Sequence, residues 1–257
     1  MQILKTIAAA FSMFSAIPMP PTPWDKRAMR FTLCAFPLVG AAIALCWLAW
    51  GVLSDWLSLP SALRGAGWTA LPVVLTGGVH LDGYADTADA LASHAPPERR
   101  REILKDPHCG AFAVIWLCSY FIADFALCAS LRSYALMCPA FVLSRGLSGA
   151  ALVFLPLSDA PGLARTFVEA SDIRRVRAVL VAECVAAAIA LLTFGVAGVT
   201  MLCAAGTVFA RYAVVAKRDF GGVSGDLAGW FLQKAELWML AAAVLAQYAQ
   251  EAFTLYH

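Results

Sequence analysis

FTLCAFPLVGAAIALCWLAWGVL, residues 31–53, carries no charged side chain. An α-helix of that length crosses the hydrocarbon core of a bilayer, which takes roughly 20 apolar residues at about 1.5 Å each. Further apolar runs lie at 62–79, 111–131, 134–155, 178–193, 196–216 and 227–248. Composition agrees: 61% of residues are hydrophobic and 14% charged, whereas about a quarter of a soluble domain is charged. Mean hydropathy is +0.73. These runs predict an all-α fold, a polytopic integral membrane bundle of about seven transmembrane helices. The run at 178–193 is short for a span and is expected to tilt differently from its neighbours.

Ahead of the first run, Ile3, Ile7, Phe11 and Phe14 share one face of a segment closed by Pro18, Pro20, Pro21 and Pro23. It is too short to span and has no small-residue cleavage site before the prolines, so it reads as an N-terminal interfacial helix and not a signal peptide. Basic residues gather in alternate connections: Lys5, Lys26, Arg27 and Arg30; Arg99, Arg100, Arg101 and Lys105; Arg165, Arg174, Arg175 and Arg177; Lys217 and Arg218. The other connections hold only Arg64 and Arg132. Positive loops stay in the cytoplasm, which places the amino terminus there and, with seven crossings, His257 outside.

A formal net charge of +2 gives no footprint for nucleic acid. The eight cysteines sit mostly inside apolar runs with no CxxC, as reduced small apolar fillers and not disulfides or a zinc site. No repeat, low-complexity tract or dividing linker interrupts residues 1–257, so a single domain is expected.

The longest polar connection is GGVHLDGYADTADALASHAPPERRREILKDPHCG, residues 77–110, and long loops in compact proteins usually carry function. Asp82, Asp86 and Asp89 stand at i, i+4 and i+7, which on a helix places three carboxylates within a stripe about 60° wide. Such anions repel unless a cation lies between them. Either they form the solvated face of a short helix or they hold a Mg²⁺ that bridges phosphate oxygens. Gly77 and Gly78 permit close backbone approach there, and no basic residue occurs from Gly77 to His94. His80 is either a structural hydrogen-bonding group or a substrate contact.

Residues 98–102 read as a solvated basic turn facing the membrane surface. In Lys105-Asp106-Pro107, Asp106 fits a helix N-cap with proline at N1, and equally a group facing phosphates. The segment from Lys217 to Asp226, KRDFGGVSGD, puts glycines and Ser224 at the mouth of a helix, a ready anion site. Asp226 there carries the same N-cap alternative. Within the spans, Asp124 and Arg145 lie at similar depth, as do Glu183 and Arg211, and charges at such depth are paired or functional. The expectation is a Glu183–Arg211 ion pair, with Arg145 either paired to Asp124 or turned to substrate phosphate.

HLDGYADTADAL, KDPHCGAF and GGVSGD, in that order and separated by membrane runs, resemble the cobalamin synthase family, also called adenosylcobinamide-GDP ribazoletransferases. The resemblance covers nearly the whole chain, and the histidine followed by DGxxDxxD is its most specific motif. It implies a multi-pass enzyme of the bacterial cytoplasmic (inner) membrane, with its active site facing the cytoplasm. Such an enzyme uses Mg²⁺ to join adenosylcobinamide-GDP and α-ribazole, or α-ribazole 5′-phosphate, with loss of GMP. Carried over by position, it places the family's aspartates on Asp82, Asp86 and Asp89, the expected metal ligands, with Asp82 and Asp89 expected to be catalytic; Asp89, at the end of the stripe and able to stay off the metal, is the expected proton acceptor. His80, Lys105, Asp106, Gly222, Ser224 and Asp226 become substrate contacts; Arg145, outside those motifs, is a further candidate contact from its depth within a span. Ala90, Ala111, Ala113 and Ser224 depart from the family pattern without removing a carboxylate. The implied partners are the two substrates and the lipid bilayer, with homo-oligomerisation left open.

Two other classes place Asp clusters near a membrane. A CDP-alcohol phosphotransferase carries DGxxAR where this chain has DGYAD, and a prenyltransferase has a second comparable Asp-rich motif. A cation transporter places its carboxylates at mid-membrane, not in a loop.

Overall fold

A computed structural model describes residues 2–21, 29–158 and 162–256. Lys26, Arg27, Pro23 and His257, used above for topology and helix ends, lie outside the described residues. The described residues fold into helices joined by turns and short loops, and their one β interaction is an isolated parallel bridge between Leu157 and Val223. The helices are α1 (Gln2–Phe14), α2 (Thr32–Trp56), α3 (Ser61–Thr76), α4 (Val79–Ala92), α5 (Pro97–Ile103), α6 (Ala111–Ser130), α7 (Met137–Phe154), α8 (Leu163–Ala170), α9 (Ile173–Leu192), α10 (Val196–Phe220) and α11 (Gly225–Tyr256).

Four helical stretches among the described residues are long and apolar enough to cross a membrane: Thr32–Trp56, Ala111–Ser130, Tyr134–Phe154 and Val196–Phe220. The remaining three expected runs fall short of that standard for visible reasons. Helix α3 has only 16 residues. Helix α9 opens with three arginines, Arg174, Arg175 and Arg177, and α11 carries Gln233, Lys234 and Glu236 along its length.

Helix α7 sits at the centre, 72% buried against 17% for α6 at the rim, and packs on α2, α9 and α11. Small residues permit these approaches, as expected where lipid is as apolar as the side chains. A Cβ on Gly40 of α2 would stand 2.3 Å from the Phe141 carbonyl oxygen of α7, and one on Gly65 of α3 would stand 2.8 Å from the Ala129 amide of α6. Trp47 stacks on Trp68 at 5.4 Å and donates its indole N–H to Tyr134 O. The rim of α6 shows Phe112, Ile115, Trp116, Ile122 and Phe125 outward, an apolar surface of the kind that meets lipid or a partner.

Deep polar groups pair differently from the sequence expectation. Arg145 of α7 is 1% exposed and bonds to Glu236 of α11, not Asp124, and Ser144 donates to the same Glu236 oxygen. Depth counted along two helices cannot rank partners on a third. Glu183 and Arg211 form no ion pair among the described residues, and Glu183 Oε2 is buried without a hydrogen-bond partner. Arg211 is exposed on α10. Lys234 lies over the rings of Trp230 and Trp116, a cation–π arrangement. Helix α1 packs on α2 through buried Thr6, Ala9 and Ala10, with Ile3 and Leu4 outward.

Candidate functional site

Helix α4 carries the aspartate stripe and runs between α11 and α6. Its contact with α11 is backbone to backbone. A Cβ on Gly83 would lie 2.6 Å from Asp226 O and 2.8 Å from Asp226 Cα, and one on Gly229 would lie 3.0 Å from His80 O. Only glycine allows the first approach. The glycine that follows Asp82 therefore brings Asp226 beside the stripe.

Each motif supports another. Asp89 Oδ2 accepts from the Gly110 amide at 2.6 Å and Oδ1 from the Ala113 amide at 2.8 Å, so this carboxylate caps the first turn of α6 from outside the helix. A Cβ at position 110 would meet the Asp89 carboxylate at 2.6 Å, so a side chain there would displace the cap. Both oxygens of the expected proton acceptor are thus engaged by amides. Asp106 does not cap α6. The helix begins after Gly110, and Asp106 stays exposed, accepting from the amide and the Nδ1 of His108 at 3.0 and 2.7 Å.

Nor is Asp226 a cap. Ser224 takes that place at α11, accepting from Leu227 N at 3.3 Å, and Asp226 in the first turn is left to face elsewhere. Gly222 has φ +154° and packs on the Leu157–Ser158 backbone, where a Cβ would sit 2.4 Å from Leu157 C. Its amide bonds to Ala216 O and that of Val223 to Pro156 O. The glycine turn therefore spends these amides on closing α10 and seating the 156–158 segment, not on presenting them to an anion.

A cavity of about 300 Å³ lies at this junction. His80, Asp82, Lys105, Ser224 and Asp226 line it; Asp86, Asp89, Asp106, Arg145 and Gly222 do not. Arg101, Arg165, Ser148 and Ser158 also line it, and sequence reasoning did not select them. Helix α5 is held by Arg100, which bonds to Asp219 of α10 at 2.6 Å with both side chains mostly buried. The basic run is therefore not wholly solvated: one arginine anchors α5, the next faces the cavity. The signal available was an acidic residue, Asp219, between Arg218 and Phe220 ahead of the glycine turn, which could pair with that run.

Burial, and then the charges of Asp82, Asp226 and Asp89, push Asp86 from 3.8 up to about 6. Burial also raises Asp226, with the charge of Asp82 adding to it. His80 is held far below its usual value, at about 3, by burial and by the charge of Arg145; its ring is neutral near pH 7.

Among the described residues no three His, Cys, Asp or Glu side chains form a ready metal cage. Mg²⁺ does not require one, because it takes one or two carboxylates, keeps several waters and completes its shell with phosphate oxygens. Asp82, Asp86 and Asp226 offer oxygen donors only, from two facing helices, and their mutual repulsion at Asp86 marks a place where added positive charge is favourable. This donor set fits the ion.

The family model described as cobalamin-5-phosphate synthase matches residues 6–244. An adenosylcobinamide-GDP ribazoletransferase of Lachnoclostridium phytofermentans is 39% identical over 250 residues, covering 96% of each chain. One of Clostridium perfringens strain SM101 is 31% identical over 233 residues, covering 89% of this chain and 92% of its own. One of Desulfitobacterium hafniense is 31% identical over 260 residues, covering 95% and 98%. No solved structure matches. A match across nearly the full length, through all three motifs, means that the chain belongs to the cobalamin-5-phosphate synthase family.

Proposed function

We propose that this protein joins adenosylcobinamide-GDP to α-ribazole or its 5′-phosphate, yielding adenosylcobalamin or its 5′-phosphate and GMP. The observation that carries the reading is one cavity lined by Asp82 and Asp226 together with Arg101, Lys105 and Arg165. Carboxylates for a cation and cations for an anion are what a pyrophosphate exchange needs side by side. A ribose hydroxyl of the acceptor attacks the cobinamide-linked phosphorus, the bond to the GMP oxygen breaks, and the hydroxyl proton passes to a carboxylate. Asp226 is the base we assign, since it faces the cavity and burial raises its carboxyl from its ordinary value. Asp89 becomes a positioning residue, holding α6 against α4. Lys105, Arg101 and Arg165 neutralise the departing GMP phosphate.

Asp82 and Asp86 are the side chains that would hold Mg²⁺, leaving Asp226 off the metal as the base; when bound, the ion would supply positive charge at the pyrophosphate oxygens. Purified protein given both substrates with and without Mg²⁺, with GMP measured, tests this reading.

The proposal extends to topology: seven crossings of the bacterial inner membrane, with α3, α9 and α11 as the shorter or more polar ones, α1 in the interface, and the cavity open to the cytoplasm. In a background lacking its exposed native cysteines, a cysteine at Ser93 then labels from the cytoplasmic side only and one at Ser58 from the other. The reverse pattern inverts the arrangement.

A further inference from the structure

Away from its charged groups, the cavity has an aromatic wall contributed by four separate helices. The Phe14 ring of α1 lies 4.3 Å from that of Phe36 of α2 and 5.9 Å from that of Phe167 of α8, and Phe36 lies 5.7 Å from the His80 ring of α4. All four line the cavity. His80 Nε2 is buried and has no hydrogen-bond partner, and such a group is costly unless something supplies one. Long-range packing has therefore assembled an apolar cluster of mutually tilted rings, with Phe36 and Phe167 mostly buried behind Phe14 and one polar atom at its edge, beside the carboxylates.

Volume limits what can occupy it. About 300 Å³ is the small end of ligand pockets and suits a nucleoside of about twenty non-hydrogen atoms, not a corrinoid several times larger. Two nucleoside portions enter the proposed reaction. Guanine carries donors and acceptors around its edge that phenyl rings would leave unpaired, at a cost in affinity. The base of ribazole, a dimethylated benzimidazole, presents mostly carbon and two methyl groups.

Resting on the reading given under Proposed function, we propose that Phe14, Phe36 and Phe167 form the acceptor's base subsite. They take the benzimidazole of ribazole, with His80 Nε2 meeting a polar group of the same nucleoside. The corrinoid nucleotide stays at the polar mouth, and its pyrophosphate alone reaches Asp82 and Asp226. The two substrates thus enter from different sides of the carboxylates, and the acceptor's base is recognised by shape and stacking.

Phe14 is the best probe, because it is the last residue of α1 and only half-buried. Full-length protein in lipid nanodiscs with Mg²⁺ is assayed for GMP while each substrate is varied. Phe14→Ala should raise KM for α-ribazole about tenfold, the scale of one lost aromatic stack, and leave KM for adenosylcobinamide-GDP within about twofold. Phe14→Tyr should retain the parent value. Unchanged KM for α-ribazole, or a rise confined to the corrinoid nucleotide, overturns the assignment, the latter outcome moving guanine to the wall. A second arm needs neither a variant nor turnover: free 5,6-dimethylbenzimidazole is titrated onto the parent protein. Saturable binding that α-ribazole displaces and guanosine does not is expected; no binding, or displacement by guanosine, refutes the subsite. A parent protein that binds the base yet releases no GMP defeats the proposed reaction and leaves the subsite standing.

Discussion

Replacing Asp86 by asparagine separates the electrostatics of the carboxylate cluster from its chemistry. The folded protein holds the Asp86 proton more tightly than an unfolded chain does, with the carboxyl moved from 3.8 to about 6. A raised pKa of this kind stabilises the fold at low pH, and that stability is lost as pH rises through about 6. The rise from 3.8 to about 6 corresponds to roughly 3 kcal/mol as an upper limit. Partial exposure to solvent reduces it to on the order of 1 kcal/mol. Without divalent cation, the parent protein should therefore lose stability between pH 4 and 7, and Asp86→Asn should flatten that slope. At pH 7 its Tm should rise by about 2–4 °C, the response of a chain of this size to 1 kcal/mol. Added Mg²⁺ should stabilise the parent and do little for the variant, whose turnover should fall by about a hundredfold or more. Thermal unfolding in nanodiscs with chelator and with Mg²⁺, at several pH values, makes the measurement. A lower Tm for Asp86→Asn in chelator, or undiminished stabilisation by Mg²⁺, refutes the reasoning.

Gly83→Ala forces α4 and α11 apart at Asp226 and should reduce GMP release more than tenfold with a loss of about 1–3 kcal/mol, read by turnover and melting together. Asp89→Asn should lower stability by about 1 kcal/mol through the α6 terminus while turnover stays within a few-fold; complete loss of activity in a folded variant returns Asp89 to the chemistry. Arg100→Ala releases α5 and should raise KM for adenosylcobinamide-GDP, whereas Arg99→Ala, in an exposed pair with Glu102, should change neither KM nor Tm. Arg145→Ala leaves Glu236 buried without its partner and should cost about 3–5 kcal/mol; a folded variant with altered KM and unchanged Tm would show a substrate role instead.

The helical class was legible from residues 31–53 onward because uncharged runs of that length have few other uses. The span count was less so. Residues 227–248 look apolar by composition, yet they carry Gln233, Lys234 and Glu236 on a helix whose polar groups turn inward to Tyr120 and Arg145. The stripe of Asp82, Asp86 and Asp89 was visible as helical spacing, which cannot tell that one end meets α11 and the other caps α6. That division depends on Gly83 and Gly110, whose neighbours lie far along the chain. The Asp-Pro rule offered a cap at Asp106 as one of two readings because it weighs only local partners, and a distant carboxylate, Asp89, took that work. Arg101 and Arg165 were hidden among basic residues counted for topology, since only the docking of α5 and α8 turns them toward the cavity.

In the proposed reaction, the cavity beside Asp82 and Asp226 transfers a corrinoid phosphoryl group to a ribazole acceptor. Purified protein in nanodiscs, incubated with adenosylcobinamide-GDP, α-ribazole and Mg²⁺, should release GMP in step with formation of adenosylcobalamin, and both products should vanish in Asp82→Asn with the fold intact. No GMP from the parent protein under these conditions, or full product formation by Asp82→Asn, would contradict it.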